Sequence, residues 1–152
     1  MKVHIEWIEG LPEDEVIIRC GRVDDRMQRI QRYILDQSKQ VSEMVFYKEN
    51  QEFYFPLEQV LFFETEGDFI FAHTAKDEYK IRYRLFELNE ILPRYFIRTS
   101  KSAIVNTLQI YSITRSITAS SRIQFKDSHK HIYVSRHYYN DLRNRLSERS
   151  NV

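Results

Sequence analysis

Apolar and polar positions alternate at the start of the chain with the period of a half-buried strand. Val3, Ile5 and Trp7 are separated by polar residues, and successive side chains of a strand point to opposite faces. Residues 15–20 form a second short apolar run of the same kind. The pattern therefore predicts two strands within the first 20 residues.

From residue 24 onward the apolar positions recur at helical spacing. Asp24 or Asp25 is the predicted N-cap, because a carboxylate there can accept from the free amides of the first turn. The apolar stripe of this helix comprises Val23, Met27, Ile30 and Ile34. We predict that residues 1–40 form a strand–strand–helix unit and that residues 41–152 form a separate domain.

The rest of the chain consists of short alternating runs separated by turn residues, which predicts a mainly β fold with antiparallel sheets. One short internal helix is expected at residues 85–92, where Pro93 stops it, and a short terminal helix is expected around Tyr139. The predicted strands lie at residues 44–47, 52–55, 59–64, 68–74, 78–83, 95–98, 103–105, 109–114, 121–125 and 131–134.

Composition agrees with a packed, soluble domain. The chain has 152 residues, of which 42% are hydrophobic, with only 3 Gly and 3 Pro, so a disordered chain is excluded. One cysteine cannot form an internal disulfide and fits a reducing compartment. No secretion signal is evident, and the longest uncharged run is too short and polar to cross a bilayer. We expect a cytoplasmic protein.

Charge is distributed unevenly along the chain. Residues 1–93 carry a net charge of −7 and residues 94–152 a net charge of +8, although the whole chain carries only +1. A basic C-terminal part favours a polyanionic partner such as nucleic acid. The alternative is that the two parts interleave in the fold and neutralise each other.

Motifs for catalysis are missing, and we expect neither an enzyme nor a bound cofactor. There is no Gly-rich phosphate loop, Gly-x-Ser-x-Gly or His-Glu-x-x-His sequence. His129 and His131 could share a strand face and hold a metal ion, but no cysteine or paired acid lies near them in sequence. Two exposed histidines at a strand end explain the pattern better.

Three polar residues next to turns carry the functional hypothesis. Lys101 lies between two serines just before an apolar strand, and its ammonium suits a phosphate or a base edge. Arg136 follows a strand end, and its guanidinium suits bidentate bonding to guanine. Asp68 follows Gly67 in a turn, where shaping the turn is the favoured role and accepting from cytosine the other. Lys101 and Arg136 could also be ordinary surface cations.

Taken together, these segments resemble the LytTR family of bacterial DNA-binding domains. The resemblance covers residues 43–146 and depends on the order and spacing of several short pieces, none of which is specific alone. These pieces are residues 60–64, 85–88, 96–99, 102–106 and 134–136.

The resemblance implies a fold of elongated antiparallel sheets with little helix. It implies that loops, rather than a recognition helix, enter successive major grooves, and that paired copies bind direct repeats and bend the DNA. The family's base-contacting loops fall at Asp68, Lys101 and Arg136. Basic or amide residues are common at the first two positions, so Asp68 departs from the pattern. The neighbours implied as phosphate-contacting or supporting residues are Arg98, Ser102, Ser135 and His137.

Family members often carry a receiver domain, which this sequence lacks. Residues 1–40 resemble the short segment of stand-alone regulators, which often act beside a membrane protein. We therefore expect a sequence-specific transcription regulator whose partner is double-stranded DNA. A second copy of the chain and a regulatory membrane protein are further candidate partners, contacted through residues 1–40. The alternative function is a protein-interaction module that antagonises another regulator.

Overall fold

The chain divides into two units, and the computed structural model describes residues 1–12, 14–38 and 44–150. The first unit is Met1–Leu35 and the second is Asp36–Val152. Helix α1 spans Asp25–Ser38. Its start is the predicted one, because the Met27 amide donates to the Asp24 carboxylate at 3.0 Å.

The two predicted N-terminal strands are wrong. Described residues before α1 form neither helix nor strand, and Val3, Ile5 and Trp7 are 82%, 98% and 86% exposed. A strand persists only where a neighbour satisfies its amides and carbonyls, and an isolated pair is marginal in water. The alternation specifies an apolar face, but no strand pairs with this segment among the described residues.

The second unit is mainly β, as predicted. Its strands are β1 Phe46–Lys48, β2 Gln51–Phe53, β3 Phe62–Glu66, β4 Phe69–His73, β5 Glu78–Ile81, β6 Phe96–Ser100, β7 Ala103–Asn106, β8 Ile110–Thr114, β9 Ser121–Phe125 and β10 His131–Val134. The internal helix α2 spans Leu85–Ile91, and two short 3₁₀ helices span Leu57–Gln59 and Thr107–Gln109.

All strand pairings are antiparallel. Seven strands form one sheet in the order β2-β1-β5-β4-β3-β7-β6, and three form a second in the order β10-β9-β8. Among the described residues no two α-helices are joined by a short turn, because β1–β5 separate α1 from α2 and β6–β10 separate α2 from the C-terminal helix α3, Arg136–Ser150. A helix-turn-helix is therefore not formed by these elements.

The C-terminal helix is longer than the sequence pattern predicts. Helix α3 spans Arg136–Ser150, 15 residues, and begins at Arg136 rather than near Tyr139. Its later turns are fixed by arginines as well as by apolar contacts. Arg149 Nη1, for example, donates to the backbone oxygens of Thr107 (2.6 Å) and Ile110 (3.0 Å).

Two hydrophobic cores lie on opposite faces of the large sheet. Neighbouring residues of β3 and β7 point to different faces, so Phe63 and Ile104 enter one core while Phe62 and Val105 enter the other. The first core includes α2. The second is completed by the three-stranded sheet and α3, through Ile123, Phe125, Ile132, Val134 and Leu142.

Asn106, at the end of β7, is a fully buried polar residue whose amide is satisfied. Its Nδ2 donates to Val60 O at 2.8 Å and to Glu58 O at 3.2 Å, and its Oδ1 accepts from Leu108 N at 2.9 Å. One side chain thus joins β7 to the loop before β3 and to the following 3₁₀ helix.

Replacing Asn106 by Ala should destabilise the fold. Asn106→Ala leaves two carbonyls and one amide without these partners, which we expect to lower the free energy of unfolding by about 2–4 kcal/mol. Urea denaturation followed by circular dichroism measures the change. Asn89→Ala, at an exposed position of α2, is the matched control and should change stability little. Equal stability of the two variants would contradict the role assigned to Asn106.

Candidate nucleic-acid interface

The β6–β7 turn presents Lys101 and Ser102 to solvent at one end of the large sheet. Ser100 pairs with Ala103 across the turn, and both turn residues are exposed. The Ser102 amide donates to Ser100 Oγ at 3.2 Å, and the two serine hydroxyls lie 3.3 Å apart. The apolar residues of β7 anchor this turn in both cores, so Lys101 extends from a fixed backbone.

The Arg98 side chain forms hydrogen bonds with the backbone of the β6–β7 turn. Its Nε donates to Ser100 O at 3.0 Å and its Nη2 donates to Lys101 O at 2.5 Å. These contacts lie next to the shift in the β6–β7 register between Arg98 and Ser100. Arg98 therefore shapes the loop that carries Lys101.

The β3–β4 turn lies at the same end of the sheet. Glu66 pairs with Phe69, which leaves Gly67 and Asp68 at the tip. Gly67 has φ +61°, a backbone conformation that glycine adopts without strain. Asp68 is exposed. The turn therefore has the shape that the Gly-Asp pair predicts, and the carboxylate points out of the sheet end into solvent.

Two cations near this turn are not identified by the sequence pattern. Lys80 Nζ lies 3.4 Å from the centroid of the Phe69 ring, and the Arg82 guanidinium lies 4.2 Å from that of Tyr47. Ile81 pairs with Ile70, so β5 ends on the side of the β3–β4 turn. Lys80 and Arg82 alternate along one segment of the sequence. Only the sheet order shows that this segment ends beside the turn that carries Asp68.

The β10–α3 junction carries Ser135, Arg136 and His137. The Ser135 amide donates to Thr99 O of β6 at 2.9 Å, and Leu142 anchors α3 in the second core. Arg136 and His137 are exposed, whereas Ser135 Oγ is buried without a hydrogen-bond partner in the described structure. Ser135 thus contributes its backbone to the junction, while its two successors face solvent.

These three loops form what we call the loop row: residues 67–68, 101–102 and 135–137. Thr65 N donates to Ser102 O at 2.9 Å, and the Ser135–Thr99 bond attaches the third loop to β6. Chain geometry then keeps the Cα atoms of Lys101 and Arg136 within about 18 Å of each other. The β6–β7 turn lies between the other two loops, because β3 and β7 are neighbours and β6 is the sheet edge.

The basic excess of residues 94–152 is only partly available at the surface. Arg94 pairs with Glu148 at 2.9 Å, and Arg145 lies 3.5 Å from the same carboxylate. Arg145 also donates to the backbone oxygen of Arg94, and burial lowers its pKa. Lys101 and Arg136, by contrast, form no ion pair with any described residue.

Two residues of strands β3 and β4 have displaced pKa values. Burial, aided by the Lys130 charge, lowers the pKa of His73 to about 4, and burial with the charge of Glu66 raises the pKa of Glu64. His73 is therefore neutral near pH 7 and does not act as a cationic phosphate contact. His129 and His131 are exposed and belong to no group of three or more candidate metal ligands among the described residues.

Comparison with known proteins identifies a family and a fold. The model of the LytTr DNA-binding domain matches residues 50–147. Relatives in Staphylococcus aureus strains NCTC 8325 / PS 47 and COL, each described as an uncharacterized HTH-type transcriptional regulator, are 30% identical over 147 residues, 97% of this chain and 99% of theirs. A LytTr DNA-binding domain from Bacillus cereus superimposes with a TM-score of 0.64 at 21% identity, over 70% of this chain and 97% of that one. This likeness concerns the fold alone.

Within the described residues, no helix has the length and apolar character needed to span a membrane.

Proposed function

The chain belongs to the LytTR family of DNA-binding domains, and we propose that it reads double-stranded DNA with the loop row. It is a DNA-binding transcription regulator and not an enzyme. In the proposed mode the loops at one end of the large sheet enter successive major grooves along one face of the duplex. Two copies bind direct repeats, and the setting is the cytoplasm.

The observation that carries this proposal is the 2.9 Å hydrogen bond from Ser135 N to Thr99 O. It holds the start of α3 beside the edge strand that leads into the β6–β7 turn, so Arg136 and Lys101 lie on the same side of the molecule. Both side chains are exposed and lack ion pairs in the described structure. Exposed, unpaired cations on rigid loops can exchange hydration for phosphates or base edges at low cost.

Arg136 is assigned to base reading and Lys101 to base and phosphate contact. The guanidinium fork of Arg136 matches O6 and N7 of guanine. The amides at the start of α3 favour a phosphate nearby, since their partial positive charge has no partner within the helix. Arg98 and Ser102 shape the central turn, and His137 adds a further donor beside Arg136.

Arg136→Ala should weaken binding to a site selected from random duplexes by about 1–3 kcal/mol and relax preference at one base pair. Lys101→Ala should weaken binding and also lower the salt slope by about one. Fluorescence anisotropy at several salt concentrations measures both effects. Lys76→Ala removes one charge at the opposite end of the same sheet and is the matched control. If Arg136→Ala bound the selected site as tightly as Lys76→Ala does, base reading by Arg136 would be excluded.

Asp68 is the residue that fits DNA binding least. Its carboxylate lies at the tip of an outer loop and would repel phosphates. Asp68→Asn keeps the turn shape and removes the charge, so DNA binding should tighten by about 1 kcal/mol or less, the Coulomb energy of unit charges about 4 Å apart in water. The same titration of Glu90→Gln, which removes an exposed charge on α2, serves as control. Weaker binding of Asp68→Asn would instead indicate that the carboxylate accepts a hydrogen bond from DNA, as from a cytosine amino group.

We infer that the first unit contacts a second copy of the chain or a regulatory membrane protein. Its exposed apolar side chains alternate along residues 3–7 and are unusually large for a free surface. A partner strand would complete the pairing that the isolated chain lacks, which supports association as the role of this segment.

Trp7→Glu should disrupt this association. We expect the wild-type chain to sediment as a dimer and Trp7→Glu to sediment as a monomer, because a carboxylate cannot be buried in an apolar contact. His4→Glu, on the polar side of the same segment, should remain dimeric. A wild-type chain that is monomeric at micromolar concentration would exclude self-association and leave the membrane-protein partner to be tested by co-purification.

A further inference from the structure

A buried histidine and three glutamates lie on one face of the large sheet, and one of the glutamates, Glu66, immediately precedes the β3–β4 turn. Glu64 and Glu66 are two residues apart in β3 and share a face. His73 pairs with Phe62 on that face, and Glu78 of β5 stands directly opposite His73. Glu64 and Glu66 of β3 therefore approach the His73 imidazole together, and Glu78 of β5 approaches it from the other neighbouring strand.

Two distances in this cluster are close to those between metal ligands. His73 Nε2 lies 3.6 Å from Glu66 Oε1 and 3.7 Å from Glu78 Oε2. Ligand atoms of Glu64, Glu66 and His73 all lie within 4.8 Å of one another. Bonds of about 2.1 Å at tetrahedral angles separate two ligand atoms by about 3.4 Å. Glu66 and Glu78 would therefore move by only a few tenths of an ångström relative to His73, whereas separations near the 4.8 Å limit would close by about 1 Å through side-chain rotation.

His73 Nε2 is a buried polar atom that lacks a partner. His73 is 8% exposed, and its ring stacks on Phe62 with centroids 4.4 Å apart. Nε2 makes no hydrogen bond, and 3.6 Å is too long for one. Buried polar groups nearly always have partners, so a buried nitrogen aimed at carboxylates is a candidate metal-ligand atom.

Lys130 does not account for this arrangement. Its Nζ lies 3.3 Å from His73 Nδ1, on the other edge of the ring, and donates to Asp77 O at 2.6 Å. Among the described residues it forms no ion pair within 4.0 Å with the three glutamates. Burial lowers the pKa of Lys130, and the charges of Glu78 and Glu66 act to raise it, so Lys130 is a neighbouring rather than a paired countercharge.

We propose that His73, Glu64, Glu66 and Glu78 bind a divalent first-row transition-metal ion, with Zn²⁺ as its representative. Imidazole with carboxylates is a donor set that such ions accept, and all four donors come from strands rather than mobile loops. An ammonium can only donate, so Nδ1 now accepts from Lys130 and the ring proton lies on Nε2. Metal binding transfers the ring proton from Nε2 to Nδ1 and displaces the ammonium. This proposal does not depend on DNA binding.

Titration of the full chain with Zn²⁺ alone tests the site. A Cys20→Ser background removes the exposed thiol. Calorimetry should show one Zn²⁺ per chain, and Glu66→Gln and Glu78→Gln should each weaken binding by about tenfold or more, since even outer-sphere partners cost that much. Both carboxylates are about half exposed, so these variants should fold. Glu90→Gln is the matched control and should bind like the parent.

Lys130→Gln should change the Zn²⁺ affinity in the direction opposite to the glutamate variants. The Gln carbonyl can accept from Nδ1–H, as partners of metal-bound histidines do, so Zn²⁺ affinity should rise. Nitrogen-15 spectra of the 5 histidines should show one ring whose Nε2 shifts on Zn²⁺ addition and whose signal disappears in His73→Gln. Absence of binding, equal binding in Glu66→Gln and Glu78→Gln, or shifts confined to His129 and His131 would each overturn the proposal.

Discussion

The antiparallel pairing of β3 with β7 determines where the candidate DNA-binding residues lie. Glu64 pairs with Ala103, so the end of β3 and the start of β7 share one end of the sheet, and their turns must emerge there together. The bond from Ser135 N to Thr99 O then attaches the start of α3 to the neighbouring strand. Backbone hydrogen bonds bring the loops of Lys101 and Arg136 together, while the Arg98 side chain shapes the first loop and Leu142 anchors the helix that follows the second.

Net charge is a poor guide to how many phosphates this domain can contact. Several arginines of the basic segment donate to backbone carbonyls instead. Arg98 does so in the β6–β7 turn and Arg149 at the end of α3, while Arg94 pairs with Glu148. Arg94 also lies 3.4 Å from Asp36 of the acidic part, so the two parts interleave to that extent, and the exposed cations of the loop row are a minority of the +8 that residues 94–152 carry. Salt dependence should reflect that smaller number.

How well the sequence predicts each element depends on whether its partner is local. Strands β9 and β10 were predicted with their observed bounds, because regular alternation on a half-buried sheet leaves a clear pattern. Residues 3–7 show the same alternation and form no strand, since alternation specifies a face but not a partner. Helix α3 was underestimated because arginine-to-carbonyl bonds, which apolar periodicity does not register, fix its last turns. The candidate turn residues Lys101 and Arg136 were proposed from sequence, and both are exposed. Their adjacency and the position of Lys80 beside Phe69 were not predicted, because both depend on sheet order.

The proposed metal site and the loop row are linked through the β3–β4 turn. Glu66 is the last residue of β3 and immediately precedes Gly67 and Asp68. An ion bound to Glu66 would cancel negative charge directly before the β3–β4 turn, which DNA would approach in the proposed mode. The metal ion and the DNA would then favour the same charge state of this end of the sheet. Thermodynamic linkage makes this effect reciprocal. The factor by which the bound ion raises the affinity for DNA equals the factor by which bound DNA raises the affinity for the ion. Because the ligands are held by strands, this coupling would act through charge rather than through rearrangement of the fold, and it should weaken as salt screens the short distance between Glu66 and the phosphates.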